Sequence, residues 1–159
     1  MIEISITNRA WTRALPDAGS LARRAVAAAF ADRAPDVSAA VRLTSDRTVA
    51  ELNRRFRGIE GPTNVLAFPM ACGVGGGLGD IAVAFGVCER EAVQDGKVLA
   101  HHLQHLVIHG ALHLIGYDHR SDGEAETMET IERSILARLG IADPYAHRDG
   151  PEPHARPTG

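Results

Sequence analysis

Hydrophobic and polar positions change period several times along the chain, and each change marks an element. Residues Ile2 to Thr7 alternate, the period of a strand with one buried face. Leu21 to Phe30 (LARRAVAAAF) carries apolar residues at helical spacing, with Asp17 or Ser20 as candidate caps and Pro35 closing the region. Val37 to Leu43 alternates again and predicts a second strand. Thr44 or Ser45 then caps a helix running through Val49 and Leu52 toward Phe56. Beyond the turn-rich stretch Gly58 to Thr63, the short apolar run Val65 to Phe68 predicts a third strand stopped by Pro69. Gly73 to Gly79 is glycine-rich and predicts a flexible loop, and Ile81 to Phe85 predicts a fourth strand. Helical spacing returns around Val87 to Val93, from Val98 to Ile115, and from Glu124 to Leu139, where Gly140 supplies the stop.

Strands interleaved with helices, without internal repeats, predict one α+β domain over residues 1–142. Its sheet is small and mixed, of about four strands, and is covered by helices. Residues 143–159 are rich in Pro, Gly and charge and have little to bury, which predicts a disordered tail with His147 and His154 outside any metal role. With 159 residues, 45% of them hydrophobic and 23% charged, the chain is of a size and composition to build one globular core. No apolar run approaches the ~20 residues of a membrane span. The opening strand pattern lacks the basic and apolar regions of a signal peptide. The expectation is a cytoplasmic protein with no membrane partner. Two cysteines, Cys72 and Cys88, are too few for a disulfide framework and read as ordinary small side chains. The glycine-rich run lacks the Gly-Lys-Ser/Thr ending of a phosphate-binding loop, so no nucleotide cofactor is expected.

Chemistry concentrates in residues 109 to 119, His-Gly-Ala-Leu-His-Leu-Ile-Gly-Tyr-Asp-His. His109 and His113 are four apart, one turn of a single helix face. Gly116 can take the positive backbone angle that ends a helix, and His119 then arrives from the turn as a third ligand. No Cys, Asp or Glu at an obvious spacing completes a closed cage. Three ligands with an open position is the catalytic pattern for zinc, one ion per chain, although imidazole also suits nickel, copper and iron. Such a centre acidifies water or polarises a phosphoryl or carbonyl oxygen, so hydrolysis is the natural reaction class. His105 and His101 extend the same face. His105 is too far from His113 to share one ion, since two turns rise ~12 Å, and is expected to support the ligands or touch a substrate. His101 and His102 are expected to be exposed. Asp118 either orients a ligand ring or shapes the turn.

The spacing His-x3-His-x2-Gly-x2-His also matches the metzincin proteases, which place a Glu directly after the first His as general base. Gly110 stands there instead, so a peptidase would lack its base. A non-catalytic zinc module is the third reading. Net charge is −3, so bulk electrostatics do not announce a nucleic-acid partner. Local clustering differs: Arg54, Arg55 and Arg57 gather before Gly58, with Arg42 and Arg47 able to add to their field.

At this point the chain resembles the YbeY family of bacterial endoribonucleases. The family signature His-Gly-x-Leu-His-Leu-x-Gly-Tyr-Asp-His fits His109 to His119 at every fixed position. Glu51-Leu-Asn-Arg-Arg-Phe-Arg-Gly58 is similar to the family's segment ending in Tyr/Phe-Arg-Gly. Pro62-Thr-Asn-Val-Leu-Ala-Phe-Pro69 is similar to Pro-Thr-Asp/Asn-Val-Leu-Ser-Phe-Pro, with Ala67 in place of the usual Ser, so no role can rest on that hydroxyl here. Gly79-Asp80-Ile81 and Asp143-Pro144-Tyr145 carry the likeness further. The resemblance implies zinc on His109, His113 and His119, and Arg57 as the principal catalytic residue outside the metal. It implies a single-strand-specific endoribonuclease that matures ribosomal RNA, at the 16S 3′ end, and serves ribosome quality control. Its partners would then be single-stranded rRNA and the ribosome or small-subunit proteins. With aromatic residues at 4%, no stacking platform is visible, and backbone and shape recognition are expected.

Overall fold

A computed structural model of the protein describes residues 1–68 and 79–145. Pro69, Cys72 and residues 73–78 of the expected glycine-rich loop lie outside these, as do residues 146–159 of the expected tail. Ten elements follow among the described residues: β1 (Ile2–Ile6), α1 (Ala10–Ala14), α2 (Ala18–Phe30), β2 (Ala39–Thr44), α3 (Asp46–Arg57), β3 (Val65–Phe68), β4 (Gly79–Ala84), α4 (Phe85–Asp95), α5 (Leu99–Leu114) and α6 (Asp122–Arg138). The α+β class and the four-stranded sheet agree with the sequence pattern. Short α1 is an addition: five residues show no helical period. Its Trp11 is wholly buried, its indole N–H donates to the Thr44 carbonyl at 3.0 Å, and its ring meets Phe85 edge-on.

The strand order is β1-β2-β4-β3, with the first three parallel and β3 antiparallel at the edge. Alternation of side chains sorts the strand residues into two cores. Val41, Leu43, Ile81 and Val83 join the large core under α2, α5 and α6. Leu66, Ala82 and Ala84 face the other way, where Val49 of α3 covers them. Buried on both faces, β4 reads as a nearly continuous apolar run rather than an alternating one. Phe85 belongs to α4 rather than to that strand.

Two helix starts carry the capping chemistry that fixes them. The Ser45 side chain accepts from the Thr48 N–H at the start of α3. Ser121 and Glu124 form a reciprocal capping box at the start of α6, which places that start slightly before the one predicted. α5 is the central helix. It lies between the sheet and helices α2, α4 and α6, and residues 102–108 and 110–112 are all buried. That burial fixes the rotation of α5 and so determines which of its histidines can reach solvent. Cys88 is buried, its thiol pushed up to about 12 by burial and then by Glu91 and Glu89, so it packs as a small core side chain.

Candidate metal centre

The last two turns of α5 carry His109 and His113. Gly116, at φ +105°, then reverses the chain; its N–H donates to the His113 carbonyl, and the Tyr117 N–H to that of Leu112. A residue with a Cβ is strained at that angle. Exposed His119 comes back over the helix end, and the three ring centroids stand 4.7, 5.1 and 5.4 Å apart. One ligand nitrogen from each ring lies within 4.8 Å of the other two, close enough for the set to hold one metal ion. Nε2 of His109 and Nε2 of His113 are 3.2 Å apart. Two nitrogens each 2.0–2.1 Å from a tetrahedral zinc would be separated by about 3.3 Å, so the donor pair already has the required spacing. Asp118 takes the turn-shaping role: its carboxylate accepts from the His119 backbone N–H at 2.8 Å and pairs with Arg120.

Beneath this cluster lies Glu132 of α6, wholly buried. Its carboxylate accepts from Nδ1 of His109 at 2.6 Å, from Nε2 of His105 at 2.8 Å, and from the Tyr145 hydroxyl. Burial alone would raise its pKa, but the hydrogen bonds from the two imidazoles outweigh burial and hold it at about 2. An ionised carboxylate only accepts, so His109 carries its proton on Nδ1 and offers the Nε2 lone pair to the cluster. Burial, followed by the neighbouring His109 and His119, lowers the pKa of His113, which therefore stays neutral and able to bind metal. Glu132 was not among the residues expected from sequence. Its signal was available: it sits four residues from both Met128 and Leu136, a carboxylate at a core position of an apolar helix stripe.

The cluster opens into a cleft of about 580 Å³ whose lining includes Arg57, Phe68, His109, His113, His119 and Arg120. Arg57 reaches it from the last turn of α3, where Gly58 ends the helix in the left-handed conformation. Arg57 and the histidine cluster, far apart in sequence, thus share one cavity. Arg42 and Arg47 are exposed but do not line it.

The sequence profile of the family described as Endoribonuclease YbeY matches residues 5–140. The chain belongs to the YbeY endoribonuclease family. A relative named Endoribonuclease YbeY from Rhodopseudomonas palustris (strain BisB5) is 51% identical, over 92% of this chain and 82% of its own. Another of that name, from Maricaulis maris (strain MCS10), is 48% identical over 97% and 98%. The solution structure of a Thermotoga maritima protein aligns with a TM-score of 0.56 at 27% identity, covering 98% of this chain and all of that one.

In this YbeY-family chain the glycine after the first histidine has a packing reason. A Cβ at Gly110 would stand 3.0 Å from Ile81 Cγ2 and 3.4 Å from Val65, because α5 crosses the sheet there. The position that carries the base in metzincins is thus occupied by close helix–sheet contact. Among the described residues lining the cleft, Asp118 is the one carboxylate, and Arg120 pairs with it. One expectation is corrected. His102 is buried, not exposed, with Nε2 bonded to Glu91 at 2.9 Å, because the rotation that turns His109 to the cleft turns His102 inward. His105 also sits inward on Glu132, which favours support of the ligands over substrate contact, the two roles expected of it.

Proposed function

We propose that the chain is a zinc-dependent, single-strand-specific endoribonuclease acting in the cytoplasm on ribosomal RNA, in maturation of the 16S 3′ end and in ribosome quality control. The ribosome or small-subunit proteins are its proposed partners. One observation carries the reading: three imidazole donors, one locked in its ligating tautomer by Glu132, share a cleft with Arg57. Family membership points the chemistry at RNA. No helix among the described residues is long and apolar enough to cross a membrane.

His109, His113 and His119 are the residues that would hold zinc, whose positive charge supplies Lewis acidity for a phosphoryl oxygen and acidifies water. Arg57 supplies a permanently charged guanidinium at the same cleft. Cleavage of a phosphodiester builds negative charge on the phosphoryl oxygens, and a guanidinium fork held at that position stabilises the transition state more than the ground state. Glu132 holds His109 in one orientation while lying outside the reacting zone. Water and the RNA 2′-hydroxyl are both candidate nucleophiles, and a 2′,3′-cyclic phosphate on the cleaved end would exclude direct attack by water.

The test uses the purified full chain with its metal content measured, incubated with single-stranded RNA and with casein. RNA cleavage that disappears in both Arg57→Ala and His113→Ala, each still folded by circular dichroism, is the expected result. Cleavage that persists in both variants belongs to a contaminating nuclease and removes the reading. Casein cleavage in place of RNA cleavage supports the peptidase, and a metal-loaded protein that cleaves neither supports the non-catalytic module.

A further inference from the structure

Phe56 lies immediately before Arg57 in the last turn of α3, and 59% of it is exposed. A single exposed apolar side chain is ordinary on a protein surface, and what sets Phe56 apart is its neighbours. Its inner face does not hang free. The ring rests on Phe68, centroids 5.3 Å apart and planes at 52°, and Phe68 itself lines the cleft. The Arg55 guanidinium stands over the Phe56 ring, 5.4 Å from its centroid, an exposed and movable side chain that can slide to a phosphate as a base takes its place. Ile59, 47% exposed, continues the apolar surface past the Gly58 turn. Arginines in a last turn also complement the helix dipole, which accounts for their charge but not for the exposed ring between them.

We infer that Phe56, backed by Phe68 and flanked by Arg55 and Arg57, is a stacking platform for an unpaired base of the RNA whose phosphate enters the cleft. The occupant follows from charge complementarity: Arg54, Arg55 and Arg57 are all exposed in the helix turn that carries the ring, Arg55 stands over it, and Arg57 lines the adjoining cleft, a surface suited to a polyanion that carries flat apolar faces. Single-stranded nucleic acid has that composition, alternating phosphates with bases whose π-faces are free. In an A-form duplex the same bases are stacked on each other and inaccessible. The platform therefore gives the site a physical reason to prefer single strands, through a surface that the low aromatic content did not lead one to expect. A ring held against Phe68 is also partly preorganised, so less ordering is needed when the base arrives.

The inference rests on the endoribonuclease reading, and the experiment separates the two. The zinc-loaded full chain and its Phe56→Leu and Phe56→Tyr variants are assayed for steady-state cleavage of a short single-stranded RNA. Parallel substrates carry one abasic residue at successive positions around the cleaved bond. Base–aromatic stacking predicts that Phe56→Leu raises KM by about 5- to 100-fold, more than it changes kcat, and that Phe56→Tyr restores it. At one position the abasic residue is expected to weaken the wild-type protein by a similar factor while costing Phe56→Leu little more. That non-additivity is a signature a merely structural role for Phe56 would not give. Wild-type protein that cleaves RNA, with Phe56→Leu showing an unchanged KM, overturns the platform and leaves the nuclease standing. Equal abasic penalties in wild type and Phe56→Leu overturn it as well. Wild-type protein that does not cleave RNA removes the underlying reading instead.

Discussion

The two halves of α5 carry the same residue type to opposite ends. In the first half, His102 and His105 are buried, each with Nε2 bonded to a carboxylate, Glu91 and Glu132 respectively. Their Nδ1 atoms are buried too, without a hydrogen-bond partner among the described residues, so those lone pairs are sealed from any ion in solution. In the second half His109 is 26% exposed, and its carboxylate contact is made through Nδ1, which frees Nε2 for the cleft. Glu132 is where the halves meet, accepting from His105 on one oxygen and from His109 on the other. An imidazole's role is thus set by which nitrogen the protein occupies and whether the other reaches solvent, not by its place in a histidine ladder.

The comparison breaks most severely at the exposed half. His113→Ala should reduce RNA cleavage to background and leave the folded protein unable to retain zinc on dialysis, measured by elemental analysis; full zinc occupancy would disprove its ligand role. Arg57→Ala should lower kcat/KM by about 10²- to 10³-fold, the usual cost of losing one transition-state donor, with zinc content unchanged. A parallel loss of zinc would mean that Arg57 supports the centre instead of the reaction.

Smaller effects sharpen the contrast. Glu132→Gln should weaken zinc binding about 10- to 100-fold in a chelator competition, because His109 loses the anion that orients it. Unchanged affinity would show that Glu132 serves the fold alone. His102→Gln should leave zinc affinity and cleavage as they are and cost about 1 kcal/mol of stability by denaturant titration. A loss of zinc there would erase the distinction between the halves.

The smallest effect is a pH dependence. Burial lowers the pKa of His102 despite its bond to Glu91, so the unfolded chain takes up a proton more readily than the folded one. This residue's contribution to stability is complete above the ordinary imidazole pKa of 6.5 and falls as pH drops below it. The metal-free forms of wild type and His102→Gln should therefore differ in the slope of stability against pH below about 6.5 and agree above it. Equal slopes would show that His102 takes up protons alike in both states.

Local pattern alone was enough for the main elements and for the three histidines that the fold gathers into one cluster. Alternation marked β1 and β2, short apolar runs marked β3 and β4, and helical spacing placed His109 and His113 one turn apart with Gly116 as the turn that returns His119. These are short-range properties, carried by backbone period and by a glycine angle. What lay beyond local pattern required packing. Glu132 is thirteen residues past His119 by sequence, and only the docking of α6 on α5 brings its carboxylate to His109. The inward turn of His102 depends on how α5 rotates against the sheet, which no single helix specifies. Phe56 reads in sequence as one more apolar residue of α3; its exposure, with Phe68 of β3 behind it, exists only once α3 and β3 share a face. The sequence by itself therefore determined the three candidate donors and their spacing. Tertiary structure decided which nitrogen each imidazole offers, which histidines are closed to solvent, and which distant side chains share the cleft, because burial and long-range contact arise only when separate elements pack.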